Sequence, residues 1–97
     1  MMYSVILYYH FTKIDELVRF WADHRRKCRE LGLLGRVYIA QEGINGTLAG
    51  PVDKIDEYKR YLSSLPGFEP VQFKEDPCPQ IPFVKLIRKD KILALNP

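Results

Sequence analysis

Metal ligands are scarce in this chain. Two cysteines, Cys28 and Cys78, and two histidines, His10 and His24, are spread over 97 residues, with no C-x-x-C pair among them. A structural zinc site needs four such ligands at close spacing, and these are scattered, so no metal is expected; no motif points to an organic cofactor either, and none is expected. Acid is in slight deficit: 12 Asp and Glu against 15 Lys and Arg leave a net charge of +3, which suits an anionic partner without requiring one. No apolar run approaches the roughly 20 residues that span a membrane. The opening MMYSVILYYHF has no basic residue ahead of its apolar stretch and no small-residue cleavage site behind it. The expected setting is therefore cytoplasmic, away from any membrane, with both thiols reduced. Repeats, low-complexity tracts and internal linkers are also missing.

What is present is enough for one packed domain. Hydrophobic residues make up 46% of the chain and aromatics 12%, which excludes disorder. Residues 3–11, YSVILYYHF, are β-branched or aromatic and apolar at nearly every position, as in a central strand buried on much of both faces. Thr12 and Asp15 have the spacing of a capping box. From Ile14 the apolar positions Leu17, Val18, Trp21, Cys28 and Leu31 follow a helical period, with Asp15/Arg19, Asp23/Lys27 and Arg26/Glu30 paired at i,i+4. Gly32 stops that helix.

Leu33–Ala40 reads as a second strand with alternating burial, and Gly46–Gly50 as a third. Pro51 opens a second helix, with Asp53 at its positive end and Ile55, Tyr58, Leu62 and Leu65 on its apolar face. Pro66-Gly67 ends it. Residues 68–75 read as a fourth strand, at an edge because of Pro70. A proline-rich connector, DPCPQIP, leads to FVKLIRKDKILAL, a fifth strand or hairpin. The order predicts an α+β fold: a ferredoxin-like βαββαβ plait with two helices on one face of an antiparallel sheet, plus a C-terminal β extension.

The glycines of IAQEGINGTLAGP (Gly43, Gly46, Gly50) invite comparison with a phosphate cradle. Such a loop lies between a strand and a helix, and carries Gly-Lys-Ser/Thr or G-x-G-x-x-G. Here the glycines lie between two strands, so the expectation is a hairpin turn at Asn45-Gly46, with Glu42 and Asn45 projecting from its tip.

The block GRVYIAQEGINGTLAGP, preceded by CRELGLLGR, resembles the amino-terminal domain of the rhodanese-related tRNA uridine hydroxylases. The resemblance extends from YYHF through FKE to FVKLIRKDKIL, nearly the whole chain. It implies oxygen-dependent conversion of the tRNA wobble uridine to 5-hydroxyuridine. The reactive cysteine of that family sits in a rhodanese-like domain that follows this one, so no catalytic residue is expected within these 97 positions. tRNA and that downstream domain are the implied partners, and DNA is not.

Candidate contact residues follow. Arg36 stands two positions from Tyr38 on one strand, a cation and an aromatic on one sheet face, as in plaits that stack bases and hold phosphates. Lys85 and Lys89 share a face of the C-terminal segment, with Arg88 on the other; basic residues on an edge strand also deter aggregation. Glu42 and Asn45 complete the set, as contacts to RNA or to the neighbouring domain. The stretch HRRKCR (24–29) is read as a solvated helix face, Cys28 as a buried structural thiol, Cys78 as an exposed loop thiol, His24 as solvated, and His10 as a core or edge histidine. Two other classes compete. One is a structural interdomain or protein-interaction module that docks through its uncovered sheet face with no direct RNA contact. The other is an acylphosphatase-type hydrolase, which resembles its relatives in a glycine- and arginine-bearing loop after the first strand; HFTKID has neither residue.

Overall fold

The computed structural model describes residues 2–78, together with the backbone of Leu95–Asn96. The elements run β1 (Tyr3–Phe11), α1 (Leu17–Glu30), β2 (Leu34–Ala40), β3 (Gly43–Pro51), α2 (Val52–Ser63), β4 (Phe73–Cys78) and β5 (Leu95–Asn96). The sheet order is β4-β1-β3-β2-β5. β1 pairs antiparallel with β3 and β4, β3 pairs antiparallel with β2, and β5 adds to β2 in parallel. The four-stranded βαββαβ plait is thus formed as expected. The rest of the C-terminal extension, including Lys85, Arg88 and Lys89, lies outside the described residues.

Alternation along each strand divides the sheet into two faces. Ile6 and Tyr8 of β1, Val37 and Ile39 of β2, and Ile44 and Leu48 of β3 pack with Cys28 and Leu31 of the α1 end and with Ile55, Tyr58 and Leu62 of α2. This is the core. α1 closes on a Schellman motif: Leu33 N–H donates to the Cys28 carbonyl and Gly32 N–H to the Arg29 carbonyl, with Gly32 at φ 68°.

Several boundaries differ from the sequence reading. α1 begins at Leu17, with Glu16 at the cap position and no side-chain cap. The reason lies one residue group earlier: Thr12 N–H donates to the Glu42 carbonyl (3.0 Å) and Ile14 N–H to the Gln41 carbonyl (2.9 Å), which holds this segment against the β2–β3 turn. Val18 is 70% exposed and does not join the apolar face. The acidic and basic residues of α1 meet at i,i+3, as Glu16–Arg19, Asp23–Arg26 and Lys27–Glu30. β4 starts at Phe73, five residues later than expected and beyond Pro70, and runs through Pro77, which an edge position tolerates.

The hairpin is the larger correction. Ala40 pairs with Gly43, so the turn is Gln41–Glu42, and β3 extends through Asn45 and Gly46. Among the described residues no non-glycine residue has positive φ, so Asn45 does not adopt the backbone that an Asn-Gly turn demands. Gly46 serves packing instead. A Cβ there would meet the Tyr8 hydroxyl oxygen at 2.7 Å.

Candidate nucleic-acid interface

The strand registers define the face that carries no helix. One row across it runs Lys74, Leu7, Thr47, Arg36; the next runs Tyr9, Asn45, Tyr38; the third Phe11, Gly43, Ala40. Tyr9 is 69% exposed, Phe11 76%, Leu7 43% and Tyr38 37%. Large apolar side chains normally find burial in a domain of this size, so their clustering on one face is informative. The Tyr9 and Phe11 rings meet edge to face with centroids 5.8 Å apart. Arg36, Asn45 and Lys74 are exposed beside them. Among the described residues neither Arg36 nor Lys74 enters an ion pair, while Lys13, Arg19, Arg26, Lys27 and Lys59 all do.

A shallow cavity of about 640 Å³ lies between Tyr9, Phe11, Tyr38, Glu42 and Asn45. Arg36 and Tyr38 therefore do share an open face, and Asn45 stands on it in mid-strand. Glu42 is exposed in the turn at its rim. Tyr9, Phe11 and Lys74 were not singled out from the sequence. The signal for them was weak, because both rows of β1 are rich in apolar residues; only knowledge of which row the helices cover separates them.

The opposite face holds a chain of polar groups. Tyr8 and Tyr58 hydroxyls are hydrogen-bonded to each other, and Tyr58 Oη lies 2.7 Å from His24 Nε2. His24 is fully buried, stacked on Phe20; the sequence reading of a solvated histidine is thus overturned. Its position on α1 faces α2, where Tyr58 supplies the partner. Burial pulls its pKa down from 6.5 to about 4 and pushes both tyrosines well above the ordinary phenol value. Cys28 is buried beside them, its thiol pushed up to about 12 by desolvation. A neutral histidine and un-ionised phenols and thiol form a structural network rather than a nucleophile and base.

His10 Nε2 lies 2.7 Å from the Gly67 carbonyl oxygen and donates to it, tying β1 to the segment after α2. Cys78 is half-buried at the end of β4, not in a loop. Lys59 and Glu75 join α2 to β4, and the hydrogen bond from Lys59 holds the Glu75 carboxyl below its usual range. Among the described residues no group of three or more His, Cys, Asp or Glu converges as a metal site, and no helix is long and apolar enough to cross a membrane.

The β1–α1 segment is the place where a phosphoryl group would be cradled in a hydrolase of this architecture. Thr12–Glu16 contains neither glycine nor arginine, and the Thr12 and Ile14 amides are spent on the β2–β3 turn. Those donors are not free to hold an anion.

Residues 3–92 match the UPF0176 acylphosphatase like domain. The chain belongs to this family. Among curated proteins it is 43% identical to a tRNA uridine(34) hydroxylase of Bacillus velezensis, over 92% of this chain and 28% of that protein. The enzyme of the same name from Bacillus licheniformis is 43% identical over 97% of this chain and 30% of its own length. That of Streptococcus pneumoniae is 41% identical over 90% and 26%. The chain thus spans less than a third of the length of these relatives. Among solved structures, an acylphosphatase from Coxiella burnetii superposes with a TM-score of 0.54 at 19% identity, covering 79% of this chain and 81% of that one. BlrB, a BLUF protein, gives 0.64 at 19% identity, covering 81% and 63%. At such identities the likeness establishes the plait alone.

Proposed function

We propose that this chain is the substrate-contacting, N-terminal domain of a cytoplasmic tRNA uridine(34) hydroxylase. It grips tRNA on its open sheet face, while oxygen-dependent hydroxylation of the wobble uridine takes place at a cysteine in a rhodanese-like domain of the same protein. The domain's work is positioning: phosphate contacts orient the substrate without carrying sequence information. The observation behind this reading is that Arg36 and Lys74, which form no ion pair among the described residues, share one face with exposed Tyr9, Phe11 and Tyr38. Aromatic faces bind bases and cations bind phosphates, and single-stranded RNA offers both.

Exposed Leu7, at the middle of the same face, favours a second reading: an interdomain module that docks on its neighbour through this surface. Ultraviolet cross-linking of the chain to bulk tRNA separates the two. Direct contact predicts cross-linked peptides from Tyr3–Phe11 and Leu34–Ala40. Cross-links confined to the helix-covered side, or none at all, would leave the docking reading in possession.

A further inference from the structure

Asn45 is the one side chain with a full amide in the middle of the aromatic cluster. The register places it directly opposite Tyr9 on one side and Tyr38 on the other. Strands lie about 4.8 Å apart, so the two tyrosine backbones stand about 10 Å from each other with Asn45 on the floor between them. A planar ring stacked against both would need about 7 Å, twice the 3.4 Å spacing of stacked bases, and a modest lean of the tyrosines closes the difference. The amide offers one donor pair and one acceptor. That is the complement of a base edge presenting a donor beside an acceptor. Phe11 closes one end of the cavity and Ala40 and Gly43 leave room along its base.

We propose that this cavity is a subsite for a single unpaired nucleobase. The base stacks on Tyr9 and Tyr38, its hydrogen-bonding edge meets Asn45, and its flanking phosphates fall toward Arg36 and Lys74, one row or about 6.6 Å along the strands. The assignment rests on the tRNA-contacting reading above and narrows it: the ligand is a nucleotide out of its stack rather than duplex backbone. Three features favour this occupant over a protein surface. The floor of the cavity is a hydrogen-bonding amide, where an apolar docking patch would carry an aliphatic side chain. The flanking charge on the adjacent row is positive at both ends, Lys74 and Arg36. Two of the aromatics are tyrosines, which stack while keeping a wet edge. The Glu42 carboxylate at the rim disfavours a phosphate there, which directs the backbone to the Arg36 side.

The experiment uses the 97-residue chain, bulk tRNA, a single-stranded hexanucleotide carrying one 2-aminopurine, and an RNA duplex of the same length. Stacking should quench the 2-aminopurine, and the single strand should bind more tightly than the duplex. Tyr38→Ala and Tyr9→Ala should each weaken single-strand binding at least about fivefold and abolish quenching, while Tyr38→Phe retains both. Asn45→Ala should weaken binding with quenching intact in the bound fraction. Thermal melts of each variant identify any that fail to fold, and for those Tyr9→Leu and Tyr38→Leu test the same loss of stacking. If tRNA binds but single strand and duplex bind alike, or the aromatic variants bind as tightly as the native chain, the subsite is overturned while the tRNA reading stands. If neither tRNA nor either oligonucleotide binds, both fall, and docking to a protein partner takes their place.

Discussion

The Tyr8 ring lies directly over Gly46, its neighbour across the β1–β3 pair, so closely that a Cβ at position 46 would fall within 2.7 Å of the phenol oxygen. The second glycine of the EGING motif is therefore a packing requirement of the helix-covered face and not a turn. Gly46→Ala should destabilise the fold by about 1–3 kcal/mol, the usual cost of forcing extra atoms into a filled core. A urea titration should show the midpoint falling at unchanged slope. An unchanged midpoint would mean that Tyr8 is free to move away.

Tyr58 serves two partners, Tyr8 and His24, whereas Tyr8 serves one. Tyr58→Phe should therefore be the more damaging change, at about 1–3 kcal/mol for buried groups left unpaired, and Tyr8→Phe the milder. Paired urea titrations rank them. The reverse order would contradict the hydrogen-bond chain.

His24 gives stability a pH dependence whose direction follows from its depressed pKa. The folded state holds the ring neutral down to about pH 4, while the unfolded chain takes up a proton near 6.5. Between those values the unfolded state binds more protons, so stability falls as pH drops from about 6.5 to 4, by about 3 kcal/mol at most. Above that window both states are neutral and the contribution is complete; below it the curve flattens. Glu75, paired with Lys59, loses its own contribution only at lower pH, because its folded pKa is depressed below the carboxyl range. In His24→Gln the slope between pH 6.5 and 4 should shrink relative to the native chain. Equal slopes would mean that His24 already reaches water.

The two thiols should differ sharply. Cys28 is fully buried with its pKa pushed up to about 12, whereas Cys78 is only half-buried. Under native conditions iodoacetamide should add once, at Cys78, and twice only in denaturant. Prompt native labelling of Cys28 would show that the α1–sheet packing opens readily.

Much of the fold was legible because its signals are local. The helix over Leu17–Glu30, the Gly32 stop, and Ile55, Tyr58 and Leu62 on α2 all reappear, though α1 starts three residues later than its apolar period suggests and Val18 turns outward. The misreadings involve partners distant in sequence. Asn45-Gly46 carries the composition of a turn, yet pairing with Tyr8 and Tyr9 on β1 keeps it extended. His24 sits in the polar string DHRRK, and nothing nearby announces Tyr58, 34 residues on, as its buried partner. On β1 the helix-covered row includes Ser4 and His10, while the other row is Tyr3, Val5, Leu7, Tyr9 and Phe11, of which Leu7, Tyr9 and Phe11 are exposed. The more polar row is the one turned inward, so alternation alone points the wrong way, and two of the three aromatics of the candidate interface went unnoticed. Arg36 and Tyr38 were visible because β2 alternates cleanly, with Val37 and Ile39 buried between exposed neighbours.

The central claim is that the open sheet face holds tRNA by its phosphates as well as its bases. The most direct measurement is tRNA affinity across a salt series, for the native chain, Arg36→Gln, Lys74→Gln and the double variant. Log affinity should fall linearly with log salt concentration, and each lost cation should make the slope shallower by about one. Affinity that is absent at low salt, or a slope that ignores both substitutions, would contradict the account.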